Sequence, residues 1–326
     1  MIKSVAIVGA GVSGLTCAVV FAKRGYHTAI FAEEAGQRTT SAAAAAVWFP
    51  YDAEPTDVVI AWALETYKVL VDLSRDSGTG VSTIELHQFS RTCEISIPNW
   101  AIPLGAQRLS SVATGLRPIS DRSQRGGHNL FRSGFTLSVP LTDTTIYLDY
   151  LANRFIKAGG EINPNIQFKK LEAVDPKFDL VINCAGIGAR ELVNDIDLEP
   201  HRGQVAVVPK IDNLNCAIVC DDEPFMYAIP RTNDCVFGGT NEISDNLAVD
   251  PAATSTILAE CSRVLKIDNP RVLTERVGLR PFRKSGVCLE RQHLRDGRTV
   301  IHNYGHGGSG FTLSWGCARE VVDLAL

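Results

Sequence analysis

Apolar and polar positions along the chain alternate in segments of different period. The first is a wholly apolar run, Val5-Ala6-Ile7-Val8, which reads as a short buried parallel strand. Glycines follow at once, residues 15–24 carry apolar side chains at helical density, and Gly25 stands where that helix should stop. Residues 27–31 read as a second strand, giving a βαβ unit. Val58, Val59, Ala61, Trp62, Leu64, Tyr67, Val69 and Leu70 fit an amphipathic helix over residues 55–73. Between residues 78 and 140 short apolar pieces, among them 83–86 and 135–139, are separated by Gly, Pro and Ser clusters and read as antiparallel strands of a second domain. A helix over residues 144–158, closed by Gly159-Gly160, leads to an apolar strand at 179–184 that returns to the parallel sheet, ending in a turn at Gly186. Strands at 201–209, 225–230 and 236–240, a helix over 251–265, a hairpin and a last helix from about Thr312 complete the pattern.

Composition narrows this picture. With 326 residues the chain exceeds the usual single-core size, so one large α/β domain or two interleaved domains is expected. A hydrophobic fraction of 45% and a charged fraction of 21% are those of a soluble globular chain, and a net charge of −4 supplies no basic field for nucleic acid. No stretch approaches the roughly 20 apolar residues of a membrane span, and the N-terminal residues lack a signal-peptide cleavage site. The nine cysteines form no C-x-x-C pair and read as reduced core residues. Together these features predict a cytoplasmic protein.

The turn after the first strand carries chemistry. Gly9, Ala10, Gly11, Val12, Ser13 and Gly14 spell G-x-G-x-x-G between a strand and a helix: Gly9 permits the tight turn, Gly11 lets backbone approach a pyrophosphate, and Gly14 lets helix and strand pack closely. The helix N-terminus then faces the phosphates. Glu33 and Glu34 stand roughly 20 residues on, where a ribose-binding acid belongs. A tight βα turn without ligand is the plainer reading. Next come Arg38, Thr39, Thr40 and Ser41, then five alanines and Val47-Trp48-Phe49-Pro50-Tyr51. This stretch reads either as a Ser/Thr-capped alanine helix ended by proline, or as a phosphate cradle followed by small residues that let a flat ring approach the backbone.

Near the C-terminus stand Gly278-Leu279-Arg280-Pro281 and His302-Asn303-Tyr304-Gly305-His306-Gly307-Gly308. With the glycine fingerprint, R-T-T-S at 38–41, W-F-P-Y at 48–51, R-G-Q at 202–204 and Gly238-Gly239-Thr240, the sequence resembles the D-amino-acid oxidase family over essentially the whole chain. The resemblance implies an α/β fold with a Rossmann-like FAD-binding domain formed by residues 1–50, 141–195 and 272–326. A mixed or antiparallel-sheet substrate-binding domain, residues 51–140 and 196–271, is interleaved with it. It also implies FAD as cofactor, and a D-amino acid and oxygen as reactants giving a 2-oxo acid, ammonia and hydrogen peroxide. A homodimer is left open.

Carried over residue by residue, the family pattern sets Arg280 against the substrate carboxylate as a bidentate partner, in keeping with a planar, permanently charged guanidinium. Tyr227 meets the same carboxylate through its hydroxyl, and the Gly308 carbonyl accepts from the substrate amine. Read alone, Arg280 suits a structural ion pair and Tyr227 a strand aromatic. The turn of Gly307, Gly308, Ser309, Gly310, Phe311 and Thr312 opens the last helix and aims N–H groups at the negative charge that reduced flavin develops, with Thr312 adding a hydroxyl. Ala46 and Val47 supply backbone near the redox edge of the ring, and Gly186 lies against the cofactor. His302 and His306 read as structural.

One position departs from the pattern. Glu223 replaces the tyrosine expected four residues before Tyr227, so Phe225 and Met226 are expected to cap an apolar pocket favouring neutral or apolar substrates, unless Glu223 attracts a basic side chain. Ser309 is expected to widen the site. Two alternatives stay open: an oxidase of glycine or N-methyl amino acids, and a flavin-binding protein without turnover.

Overall fold

The computed structural model describes residues 2–51, 53, 56–109 and 130–326. Two sheets organise them. The smaller has six strands, in the order β14 (Cys288–His293), β15 (Thr299–Tyr304), β7 (Leu180–Asn183), β1 (Ser4–Val8), β2 (His27–Ala32) and β6 (Glu161–Pro164). All neighbours are parallel except β14 and β15, which form the expected hairpin. β1 is apolar from Val5 to Val8 because helices cover its sheet: α1 (Val12–Lys23), α4 (Thr144–Lys157) and α7 (Gly310–Ala325) pack together with Cys17, Phe21, Tyr147, Phe155 and Leu313 buried among them. The indole Nε1 of Trp315 donates to the Tyr147 hydroxyl at 2.8 Å, so the polar tips of this core are paired. Helix α3 (Thr56–Leu73) covers α7, where the Gly316 N–H donates to Thr66 Oγ1 at 2.9 Å.

The larger sheet runs β12 (Glu242–Ile243), β8 (Leu198–Pro209), β11 (Asp234–Gly238), β10 (Met226–Pro230), β9 (Cys216–Cys220), β3 (Val81–Ser90), β5 (Ser133–Thr142) and β4 (Gln107–Arg108), with β13 (Thr274–Arg283) also paired to β8. Its neighbours are antiparallel apart from β3 and β9. One face packs under helix α6 (Pro251–Leu265) through Ile218, Cys220, Met226, Ala228, Phe237, Ile257 and Cys261. The other faces the smaller sheet.

Most predicted elements appear where periodicity put them, including α6 with its Asp250 cap and Pro251 at the first turn. The proposed helix start at Pro55 and residues 110–129 of the predicted strand region lie outside the described residues. Three differences have physical causes. The strand carrying G-L-R-P, grouped by sequence with the dinucleotide unit, is hydrogen-bonded to β8 in the larger sheet from Thr274↔Val207 to Arg283↔Leu198. The alanine run makes only the one-turn helix α2 (Thr40–Ala43) before Ala44 turns extended. Alanine favours helix, yet here tertiary pairing prevails: Thr142 N–H donates to Ala46 O at 3.0 Å, Trp48 N–H donates to Pro140 O at 2.9 Å, and Ala46 takes a left-handed φ of +57°. Strand β9 escaped the sequence reading altogether.

Candidate active site

A cavity of about 890 Å³ lies between the sheets. At one end it touches the carboxyl ends of parallel strands, where open α/β sheets bind ligands: Val8 to Ser13, Glu33, Glu34 and Gly186 line it. The glycine turn is as tight as its sequence requires. Gly9 has φ +111°, and a Cβ on Gly14 would come within 2.0 Å of Gly9 O. Gly11 caps α1, and the Val12 N–H donates to Ser41 Oγ at 3.0 Å, bringing the Arg38 to Ser41 segment over the helix N-terminus. Arg38, Thr39, Thr40, Ser41, Ala46 and Val47 continue the lining. Glu34 pairs with Arg38 at 2.7 Å, and Glu33 accepts from Gln167 Nε2 at 3.2 Å. A backbone cradle closed to side chains, a helix start and hydroxyls beside it form a site suited to the ADP half of a dinucleotide.

The far end is built on one face of the larger sheet. Register sets it: Gly203 pairs with Gly278 and His201 with Arg280 across β8 and β13, while Tyr227 pairs with Gly238 across β10 and β11. Side chains alternate, so Phe225, Tyr227 and Ile229 line the cavity while Met226 and Ala228 are buried toward α6. Glycines clear the space for the two polar groups. A Cβ on Gly203 would sit 2.5 Å from the Arg280 guanidinium, and one on Gly238 would sit 2.0 Å from Tyr227 Cζ. Arg280 Nη1 donates to Thr240 O at 3.0 Å and lies 3.4 Å from Asn241 Oδ1. Among the described residues no carboxylate pairs with Arg280. Burial pushes the Tyr227 hydroxyl above its usual range, with the Arg280 charge pulling it back, so it remains a neutral donor.

The turn into α7 comes up beside this clamp. A Cβ on Gly308 would meet the Tyr51 ring at 2.7 Å and Arg280 Cδ at 3.8 Å. Gly307, Gly308, Gly310, Phe311 and Thr312 line the cavity. The first intrahelical bond runs from Leu313 N–H to Ser309 O at 3.0 Å, so the N–H groups of Gly310, Phe311 and Thr312 precede the helical ladder. Two expectations need correction here. The Ser309 side chain is fully buried, accepts from Tyr51 N–H at 2.7 Å and donates back to Tyr51 O, so it clips the chain instead of widening the site. The Thr312 hydroxyl accepts from Phe49 N–H at 3.2 Å and donates to Phe49 O at 3.0 Å, which engages it with backbone.

Other residues also fall differently from expectation. Met226 faces the α6 core and does not cap the pocket, and Glu223 is exposed outside the cavity with one carboxylate oxygen 3.3 Å from Phe225 N. Phe225 alone of that group lines it. His306 touches the cavity but is buried, its Nε2–H donating to Asn303 Oδ1 at 3.0 Å, and burial pushes its imidazole down to about 4. His302 bonds Asn183 Nδ2 at 3.2 Å and is likewise lowered by burial, so both rings stay neutral at neutral pH. The R-G-Q residues hold the scaffold: Arg202 donates to Asn246 O and Ala248 O at 2.8 and 2.7 Å, and Gln204 to Asp250 O and Thr254 Oγ1 at 2.8 Å. Gln88 on β3 and Asp221 just past β9 line the cavity and were not foreseen. The signal available was the alternation Ala217, Val219, Asp221.

Comparisons with known proteins agree with this geometry. The DAO family profile, described as FAD dependent oxidoreductase, matches residues 4–324. The chain is 38% identical over 323 residues to a D-amino-acid oxidase of Rubrobacter xylanophilus, covering 98% of this chain and 94% of that one. It is 39% identical over 326 residues to a D-amino-acid oxidase of Streptomyces coelicolor, covering 98% and 96%. Among solved structures, glycine oxidase of Geobacillus kaustophilus superposes with a TM-score of 0.80 at 16% identity, over 98% of this chain and 93% of that one, which establishes a shared fold. Family match, near full-length relatives and a cavity joining a glycine cradle to an arginine clamp lead to one conclusion: the chain belongs to the D-amino-acid oxidase family of FAD-dependent oxidoreductases.

Proposed function

We propose that this protein oxidises D-amino acids, holding the substrate α-carboxylate between Arg280 and Tyr227 and its amine at the Gly308 carbonyl. The observation that carries this reading is an arginine without a carboxylate partner among the described residues, beside a buried tyrosine hydroxyl, in the same cavity as the dinucleotide cradle. Such a cation calls for an anionic ligand, and a planar fork matches a carboxylate. The D configuration follows from the names of the relatives.

FAD, when bound, would supply the redox chemistry: two electrons and two protons leave the substrate Cα–N unit for oxygen, giving hydrogen peroxide and an imino acid that water hydrolyses to the 2-oxo acid and ammonia. Gly9 to Ser13 and Arg38 to Ser41 would hold its phosphates, Glu33 or Glu34 the ribose, and Ala46, Val47 and Gly186 the neighbourhood of its ring. The rest is positioning. Arg280 and Tyr227 fix two oxygens, the Gly308 carbonyl orients the amine, and Phe225 and Ile229 exclude water from the reacting carbon. The N–H groups of Gly310, Phe311 and Thr312 favour negative charge ahead of α7. Among the described residues His306 is the histidine lining the cavity, and burial keeps it neutral. We place the reaction in the cytoplasm, where the mostly buried thiols of its nine free cysteines would stay reduced.

Removing one partner of a buried charge pair costs about 2–5 kcal/mol of binding, which is roughly thirtyfold to several-thousandfold. Arg280→Ala is therefore expected to raise the KM for D-alanine by at least thirtyfold while the protein still takes up flavin. An unchanged KM would remove Arg280 from the substrate site.

A further inference from the structure

The carboxylate of Asp221 projects into the same cavity as the Arg280 and Tyr227 clamp. Asp221 follows β9 directly. In the antiparallel register of β9 and β10 Val219 lies opposite Tyr227, and two residues on, Asp221 lies level with Phe225. Gln88, adjacent to Val219 across β3, donates its Nε2 to Asp221 Oδ2 at 2.9 Å. The other oxygen, Oδ1, has no donor among the described residues, and no Lys, Arg or His pairs with this carboxylate there. The neighbouring Asp222 has its Oδ2 engaged, accepting from Ser90 Oγ and from the N–H groups of Arg91 and Thr92, and adds repulsion rather than neutralisation. Asp221 opens to the cavity yet is crowded by protein, and its carboxyl is raised by that crowding first and by Asp222 last, with the Gln88 bond opposing. Asp221 is exposed to the cavity, so its unpaired oxygen is open to an incoming cation.

We propose that Asp221, oriented by Gln88, is a specificity residue that recognises a cationic side-chain terminus, so that D-arginine and D-lysine are preferred over neutral substrates of the same shape. The proposal rests on the reading that Arg280 and Tyr227 hold the α-carboxylate. Position supports it: Asp221 follows the strand beside Tyr227 and lines the same cavity as the clamp. The cavity walls at Leu86, Val219 and Phe225 are apolar and suit the methylene stem while the charged end meets Asp221. This revises the expectation of an apolar preference: the acid is present, supplied by Asp221 and not by Glu223.

The test compares isosteres that differ only in charge. D-arginine should exceed D-citrulline in kcat/KM by about tenfold or more, the value of one charge-assisted hydrogen bond, and D-lysine should exceed D-2-aminoheptanoate similarly. In Asp221→Asn the first ratio should fall toward one. A ratio near one in the native enzyme, or one that survives the substitution, would overturn the assignment. Should Asp221→Asn fail to fold, the native holoenzyme still decides: perturbation of the flavin spectrum should require about tenfold less 5-guanidinopentanoate than 5-ureidopentanoate, and equal affinities would contradict the proposal. If no D-amino acid reduces the flavin, the proposed function fails on its own, and the same pair of inhibitors continues to judge Asp221.

Discussion

At the scale of single residues, the site is governed by which polar groups are left without partners. Arg280 bonds a backbone carbonyl and a side-chain amide, and Asp221 bonds one amide, so each keeps capacity for a ligand of opposite charge. Ser309 and Thr312 show the converse. Their hydroxyls stand in a glycine-rich turn, but both close on backbone at Tyr51 and Phe49, 258 and 263 positions away in sequence, and no local pattern encodes that pairing. His306 gives a prediction at this scale. Its folded pKa of about 4 lies below the value of 6.5 for a free imidazole, so its contribution to stability is complete above pH 6.5 and is lost as pH falls toward 4. Linkage puts the loss at about 2 kcal/mol between pH 7.5 and pH 5. Urea denaturation of the holoenzyme at the two pH values should show a fall larger by that amount than in His306→Gln, and equal falls would contradict a buried neutral imidazole.

Among secondary-structure elements, those with one clear period were legible and those with two covered faces were not. Helix α6 and the βαβ unit announce themselves by spacing and punctuation. Strand β9 does not: Ile218 and Cys220 pack toward α6 while Ala217 and Val219 face the other way, so both faces are apolar and alternation vanishes until Asp221. The alanine run misleads for a different reason, since its conformation is imposed by β5 through bonds at Ala46 and Trp48. That imposed segment continues to Tyr51, where the Ser309 clip fastens it to the start of α7. Ser309→Ala removes two hydrogen bonds at a half-buried junction and is expected to lower unfolding stability by about 1–3 kcal/mol. Because the Tyr51 ring lies against Gly308, the KM for D-alanine should rise by a larger factor than kcat falls. A change in kcat alone would argue that the clip does not position the substrate end.

Across the whole molecule, the two sheets cooperate through one cavity. Neither carries the site alone: the smaller contributes the glycine cradle and the larger the clamp, and Phe49 to Tyr51 join them through α7. They are also tied electrostatically, because the buried Arg231 after β10 bonds Asp234 at 2.7 and 2.9 Å and lies 3.8 Å from Asp143, which caps α4. Among the described residues no helix is long and apolar enough to cross a membrane. The presence of two sheets was readable from the change of period along the chain. The assignment of G-L-R-P to the larger sheet was not, because strand partners are set by register over long sequence separation.

The cradle and the clamp serve one reaction on one enantiomer. This is tested most directly by mixing the flavin-loaded protein with D-alanine in the absence of oxygen. The yellow absorbance should bleach with D-alanine and persist with L-alanine, whereas bleaching by glycine or sarcosine alone, or by no amino acid, would contradict the account.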